Sequence, residues 1–363
     1  MSSSPHPVSS QLRPSSKKVK GDHRTPPVSA QADLQKNLSK ELRDHAWQFN
    51  AERIAKMLSA TGERPTEGLV NSAHKTLLKK QAPDWPTAGV EQAWYPPIAT
   101  FLNNCVAACH VALDSSSAAA SGSCPRFYDR LKFIVYDKIT VDGVEGAAQV
   151  KPDLVGGLGL VPDERVAWSP QDPLTKQVLL PVEVKRDWAP MVSQAATYAR
   201  CLFSASPSRQ FAVVLGFRHT RAELRFFVFH RGGLTGSQPL SVRDERGQKD
   251  TLRVLLSILN WRSDEDAGFP KFCNDSEMFL LRREDDEDGV VARVVEVLHD
   301  GLCVQGRASR VLLVSYPTGE GKEPEPSIPV LGPTVRTRKR PGTETQTKQG
   351  DVEIRTSFHR QHV

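Results

Sequence analysis

Long uncharged apolar runs are missing from this chain of 363 residues, and none approaches the roughly 18 to 20 residues that a membrane-spanning helix needs. No membrane association is therefore expected. The opening stretch, MSSSPHPVSSQLRPSSKKVK, lacks the apolar centre of a secretory signal, so classical secretion is not expected either. Cysteine is scarce, at Cys105, Cys109, Cys124, Cys201, Cys273 and Cys303, with no CxxC among them. Neither a disulfide scaffold nor a zinc ribbon nor a thioredoxin-type site follows from such spacing, and a reducing, intracellular compartment is the default. Charge of one sign is not in large excess: 48 Lys and Arg against 42 acids leave a net +6, a mild bias towards anionic partners. What remains, 39% hydrophobic and 25% charged residues, suffices for one or two globular units with tails.

Residues 1–30 are rich in Ser, Pro and Lys and residues 317–363 in Pro, Gly, Thr and charge, so both are expected to be disordered basic tails. Each holds a basic cluster: Lys17, Lys18, Lys20 and Arg24 in one, and Arg336, Arg338, Lys339 and Arg340 in the other. Such runs read either as solvated tail or as patches for import receptors or nucleic acid, and the second reading implies a nuclear rather than cytoplasmic location.

Between the tails the period changes. Leu34, Leu38, Leu42, Trp47, Ile54 and Leu58 recur at roughly helical spacing over 33–59, and a second helical run covers 67–80, so 31–90 reads as a helical section. Residues 98–113 form a strongly apolar helix, followed by a Ser/Ala/Gly-rich loop to Pro125. Strand-like runs occupy 131–137, 147–157, 177–185, 210–217 and 223–231. One helix interrupts them over 190–203, with Pro190 placed at its first position. The fold class is α+β or mixed α/β, with a sheet of about four or five strands. A further amphipathic helix is expected over 251–261 and a last strand over 312–317.

The chemistry concentrates at two points. Residues two apart on a strand project from one face, so Glu183 and Lys185 of VEVK share a surface while Val182 and Val184 face the opposite layer. Earlier, Asp153 follows Pro152, which biases the chain towards an extended start. Two carboxylates converging on one point can hold Mg2+, and a neighbouring lysine can orient a nucleophilic water or neutralise a phosphate. Alone, either motif reads equally as a turn aspartate or an exposed ion pair on a strand.

Taken together, Pro152-Asp153 and Glu183-Val184-Lys185 resemble the two motifs of the PD-(D/E)xK nuclease superfamily, whose restriction-endonuclease-like core of helix, three-stranded meander, helix and strand matches the order read over 91–261. Gln194 and Tyr198, four apart on the following helix, resemble the QxxxY element of RecB-like members. The resemblance implies Asp153 and Glu183 as ligands of Mg2+, Lys185 as the third catalytic residue, Gln194 and Tyr198 in support, and Glu91 as the acid that completes the site. DNA or RNA is the substrate class it implies. It equally admits a domain that binds without cutting.

The succession WYPPIATFLNN, KPDLVGG, VEVKRDW, QAATYARCLF, QFAVVLGF, LRFFVFHRGG and VLLSILNW resembles the region leading into the kinase domain of the basidiomycete fungal-type protein kinase family. Residues 302–314 are similar to the first two strands of that family's kinase lobe, with Gly306 in the glycine-rich loop and Ala308 where glycine is usual, so 262–316 reads as the incomplete start of such a lobe. After Ser315 no strand lysine, catalytic-loop aspartate or DFG turn is found, and His230-Arg231 and His359-Arg360 are followed by Gly232 and Gln361 rather than Asp. No ATP turnover is expected. The alternative to an enzyme is a regulatory module that binds nucleic acid or protein.

Other constellations carry less. The acidic run 284–289 has Val295 where a calcium loop needs its last Glu. Gly156-Gly157-Leu158-Gly159 lacks the third glycine of a dinucleotide fingerprint and reads as a flexible turn beside the site. Cys105, Cys109 and His110 share an apolar helix and read as core, and Trp168 and Trp188 are either core or stacking platforms for a base.

Overall fold

The computed structural model describes residues 31–87, 90–117, 126–136, 138–140, 150–170, 174–206 and 209–269, together with five strands between 273 and 327. The order is α1 (Gln31–Leu42), β1 (Ala46–Phe49), α2 (Ala51–Met57), α3 (Glu67–Leu77), a 3-10 turn over Glu91–Trp94, and α4 (Tyr95–Ser117). Then come β2 (Leu131–Val135), β3 (Leu154–Leu158), β4 (Val166–Ala167), β5 (Lys176–Gln177), β6 (Leu180–Lys185), α5 (Trp188–Ala205), β7 (Phe211–Arg218), β8 (Glu223–His230), β9 (Gly233–Ser237), β10 (Leu240–Ser241) and α6 (Glu245–Leu259). The later strands are β11 (Cys273–Asp275), β12 (Met278–Leu281), β13 (Val290–Asp300), β14 (Arg310–Ser315) and β15 (Pro326–Ser327), an antiparallel sheet in chain order.

Three helices start on a polar side chain that accepts a backbone N–H of the first turn: Asn50 for α2, Thr66 for α3 and Asp244 for α6. Each cap satisfies one of the donors that a helix start leaves unpaired. α5 begins at Trp188 rather than Pro190, with Asp187 at the cap position. Pro190 is therefore the third helical residue, still within the turn where a missing N–H costs no hydrogen bond.

The main sheet has eight strands in the order β1-β9-β8-β7-β6-β3-β2, with β10 on β8. It is mixed: β6 and β7 run parallel, joined across one face by α5, and β1 lies parallel to β9, while the other ladders are antiparallel. The helical reading of 33–59 fails at its centre. Residues 46–49 are a strand, because the free edge of β9 offers them a ladder that outweighs their weak helical period. The same ladder, with β10, raises the strand number above the four or five expected.

Apolar residues alternate between the two faces of the sheet. Leu154, Val182, Val184, Leu215, Phe217 and Phe226 pack in one cluster with residues of α2, α3, α4 and α6, including Ile54, Val70, Ile98, Leu102 and Leu255. Val155, Val214, Phe227 and Phe229 pack on the other side with Leu38 and Leu42 of α1 and with Met191, Tyr198 and Leu202 of α5. The result is three layers, helices on both faces of one sheet. Gly216 of β7 marks where α5 comes closest: a β-carbon there would lie 2.4 Å from Met191 Sδ and from Phe227 Cε2. Among the described residues no helix is long and apolar enough to cross a membrane.

Candidate functional site

The site forms where β3 and β6 meet the start of α4 on one side and the middle of α5 on the other. β3 and β6 pair antiparallel with Leu154 opposite Val182, which sets Asp153, one residue before β3, opposite Glu183. The strand period that sends Val182 and Val184 into the α4 layer turns Glu183 towards α5, where Tyr198 donates to its Oε2 at 2.5 Å. Tyr198 also reaches the Lys151 carbonyl at 3.0 Å, tying α5 to the segment that leads into Asp153.

Asp153 is fixed at both oxygens: Tyr95 of α4 donates to Oδ1 at 2.6 Å and the Val184 backbone N–H to Oδ2 at 2.8 Å. The same hydroxyl proton is shared more weakly with Glu91 Oε1, 3.1 Å away. Lys185 closes the group. Its Nζ lies 2.7 Å from Glu183 Oε1, 3.2 Å from Glu91 Oε1 and 3.7 Å from Asp153 Oδ2, and it donates to the Val184 carbonyl at 2.9 Å. Three carboxylates and one main-chain oxygen thus point at a single ammonium.

Burial sets the electrostatics. Glu183 is only 3% exposed, and burial, with the Asp153 charge beside it, pushes its carboxyl up to about 7. Burial also raises the Asp153 carboxyl, although Tyr95, Lys185 and the Val184 N–H work against it. Burial works to lower the Lys185 ammonium, but Glu183, Asp153 and Glu91 together outweigh it and hold it above the usual lysine range. The hydroxyls of Tyr95 and Tyr198 are pushed well above the tyrosine range, by burial first and by the carboxylates they serve, so both act as donors at any ordinary pH.

All six residues proposed from the sequence are accounted for. Asp153, Glu183, Lys185 and Glu91 come together, Tyr198 binds Glu183, and Gln194 hydrogen-bonds the Tyr198 hydroxyl while accepting from Gln35 of α1. Glu91 lies in the 3-10 turn before α4, and its carboxylate reaches Lys185. The picture of Glu183 and Lys185 as an exposed strand pair is corrected, because α5 covers Glu183. Tyr95 escaped the sequence reading. Its one available signal is its place four residues after Glu91 at the head of an apolar helix.

Several secondary readings change. Gly156 and Gly157 are strand residues, not a turn, and a β-carbon at Gly156 would meet Phe133 Cε1 at 2.7 Å. Trp168 is buried and stacks on Tyr198 with ring centroids 6.0 Å apart, so it supports the site from behind and cannot receive a base. Cys105 and Cys109 are buried free thiols. The basic clusters Lys17, Lys18, Lys20 and Arg336, Arg338, Lys339, Arg340, the acidic run 284–289, Gly306, Ala308 and His359-Arg360 lie outside the described residues.

Among the described residues no group of three or more His, Cys, Asp and Glu side chains is arranged to hold a metal ion by itself. No curated protein and no solved structure matches the chain. The family model described as fungal protein kinase matches residues 161–321, so the stretch that holds Glu183, Lys185, Gln194 and Tyr198 is similar to that family, while Glu91 and Asp153 precede the match.

Proposed function

We propose that the chain carries a phosphodiester-hydrolysing site of PD-(D/E)xK type, acting on DNA or RNA with Mg2+. The observation that carries this reading is the convergence of Glu91, Asp153, Glu183 and the Val184 carbonyl on Lys185 Nζ. The donors fit a hard divalent cation in kind, since all are oxygens and two are carboxylates held at fixed orientation. Asp153 and Glu183, with Glu91 beside them, would hold the ion. When bound, Mg2+ supplies Lewis-acid polarisation of a phosphate oxygen and a lowered pKa for water.

The chain's own residues do the rest. Tyr198 holds one oxygen of Glu183, and Tyr95 with the Val184 N–H holds both oxygens of Asp153, so the orientation of each carboxylate is fixed. Lys185, protonated throughout the neutral range, donates to the attacking water or to a phosphate oxygen and offsets charge gathering there. The test is a cleavage assay on mixed DNA and RNA with Mg2+ or Mn2+, comparing wild type with Asp153→Ala. Metal-dependent cleavage lost in the variant supports the reading; equal cleavage by both proteins, or none by either, overturns it.

A second reading has its own observation. Lys185 already offsets the carboxylates, and the similarity to the fungal protein kinase family begins at 161, after Asp153. On that reading the fold serves as a non-catalytic binding module beside the start of a kinase-like lobe. It predicts no cleavage and no change in melting temperature on adding Mn2+.

A further inference from the structure

Beside the carboxylates lies a group with the opposite imbalance of charge. The β6–β7 ladder pairs Glu183 with Gly216 and Lys185 with Arg218, and the β7–β8 ladder pairs Gly216 with Arg225 and Arg218 with Glu223. Cross-strand partners project from the same face. Glu183, Lys185, Arg218, Glu223 and Arg225 therefore share the face that α5 covers, on neighbouring strands about 4.8 Å apart. Trp188, the first residue of α5, lies over this row. The guanidinium carbons of Arg225 and Arg218 stand 4.3 and 5.2 Å from its ring centroid, and Phe227 meets the ring edge-on at 6.4 Å and 84°. The indole is thus held in one orientation and holds both arginines in turn.

The charges here do not balance. Among the described residues, Glu223 pairs with Arg218 and is the one carboxylate acting on Arg225. Burial and the neighbouring Arg218 both lower the Arg225 pKa, the sign of a crowded cation. Among the described residues, the Nε–H groups of Arg218 and Arg225 are withdrawn from solvent without a hydrogen-bond partner. Two rigidly placed guanidiniums with a single counter-charge favour an anion, and their planar fork suits phosphate oxygens.

We propose that Arg218 and Arg225, braced on Trp188, form a phosphate-binding shelf that guides a nucleic-acid strand into the site at Asp153, Glu183 and Lys185. The inference takes its substrate class from the hydrolytic reading above. A strand rather than a mononucleotide is the ligand, because Arg225 stands two strands from Lys185, roughly 10 Å by strand spacing, and a ligand touching both must carry more than one phosphate.

The test is fluorescence anisotropy of a labelled single-stranded oligonucleotide on the full chain in EDTA, where no cleavage intervenes, over a series of salt concentrations. The double variant Arg218→Gln, Arg225→Gln is expected to bind at least about tenfold more weakly. Its plot of log K against log salt should be shallower by about 1.4, two contacts at about 0.7 each for a single strand. Arg225→Gln alone, which keeps the Arg218–Glu223 pair, should lose about half of that slope, and Arg225→Lys should regain part of it. If the double variant melts far below wild type, the single variant is read in its place. Unchanged affinity and slope in a folded variant, or no binding by wild type, overturns the shelf. Lost binding in variants of a protein that never cleaves leaves the shelf standing and removes the hydrolytic reading; wild-type cleavage that the arginine variants retain, with unaltered binding, does the reverse.

Discussion

Lys185 Nζ lies 2.7 Å from Glu183 Oε1, its neighbour two residues away on the same face of β6. At this last residue of β6 the ammonium also donates to the Val184 carbonyl, at 2.9 Å, which holds it beside the carboxylates. One ammonium there faces three carboxylates, and the balance between them governs both folding and any chemistry.

Removing the cation and removing a carboxylate should therefore have opposite effects on the metal-free protein. Lys185→Ala leaves Glu91, Asp153 and Glu183 crowded with no cation and is expected to cost roughly 3 kcal/mol, the low end for breaking a buried pair, because the lysine side chain keeps 30% exposure. Glu183→Gln relieves repulsion from Asp153 and should be neutral or stabilising. On the hydrolytic reading Mn2+ should raise the melting temperature of Lys185→Ala at least as much as that of wild type, and should do nothing for Glu183→Gln or Asp153→Ala. Differential scanning fluorimetry with and without Mn2+ checks all four proteins; equal destabilisation by Lys185→Ala and Glu183→Gln would contradict the charge balance described.

Tyr198→Phe tests support rather than chemistry. The substitution keeps the stacking on Trp168 but deletes the bonds to Glu183 Oε2 and the Lys151 carbonyl. Leaving a buried acceptor unpaired costs about 1 to 3 kcal/mol, and metal-dependent cleavage should fall by less than it does in Asp153→Ala, Glu183→Ala or Lys185→Ala. A phenylalanine variant as inactive as those three would move Tyr198 into direct contact with the reaction.

Much of the site was legible because its parts follow local rules. The strand period placed Glu183 and Lys185 on one face, and helical spacing placed Gln194 and Tyr198 on another. What strand and helix period alone leave open depends on tertiary register. Asp153 stands opposite Glu183 only through the β3–β6 ladder, Tyr95 reaches Asp153 only because α4 packs against that sheet face, and Arg218 neighbours Lys185 only through the β6–β7 ladder. The strand over 46–49 was hidden for the same reason, since nothing in AWQF announces the partner on β9.

Phosphoryl transfer from ATP is expected to be absent despite the similarity to the fungal protein kinase family over 161–321. His230-Arg231, the one HR pair among the described residues, ends β8 and is followed by Gly232, with no aspartate to accept a hydroxyl proton. His230 instead binds Thr235 and stacks on Trp47 with centroids 6.1 Å apart, a role in the sheet edge. Purified chain incubated with labelled ATP and Mg2+ should incorporate no phosphate above a mock preparation. Incorporation that persists through purification to constant specific activity would refute this.

The raised Glu183 carboxyl gives stability a pH dependence whose sign is fixed. Folding lifts this group from about 4.5 to about 7, so between those values the folded protein holds a proton that the unfolded chain has released. Stability then falls as pH rises through the window, by up to about 3 kcal/mol from this group. Asp153, also raised, acts in the same direction. Lys185 stays protonated in both states across the window, so it adds a constant there and no slope. A bound divalent cation competes with the proton for Glu183. Metal affinity should climb by up to tenfold per pH unit below about 7 and level off above it. Melting curves of wild type and Glu183→Gln from about pH 5 to 8, in EDTA and in Mn2+, separate these effects. Wild type in EDTA should lose stability with rising pH relative to Glu183→Gln, and Mn2+ should cancel that loss. Parallel curves for the two proteins in EDTA would mean that Glu183 ionises in the folded state as it does in the unfolded chain, and the crowded carboxylates would then need no cation.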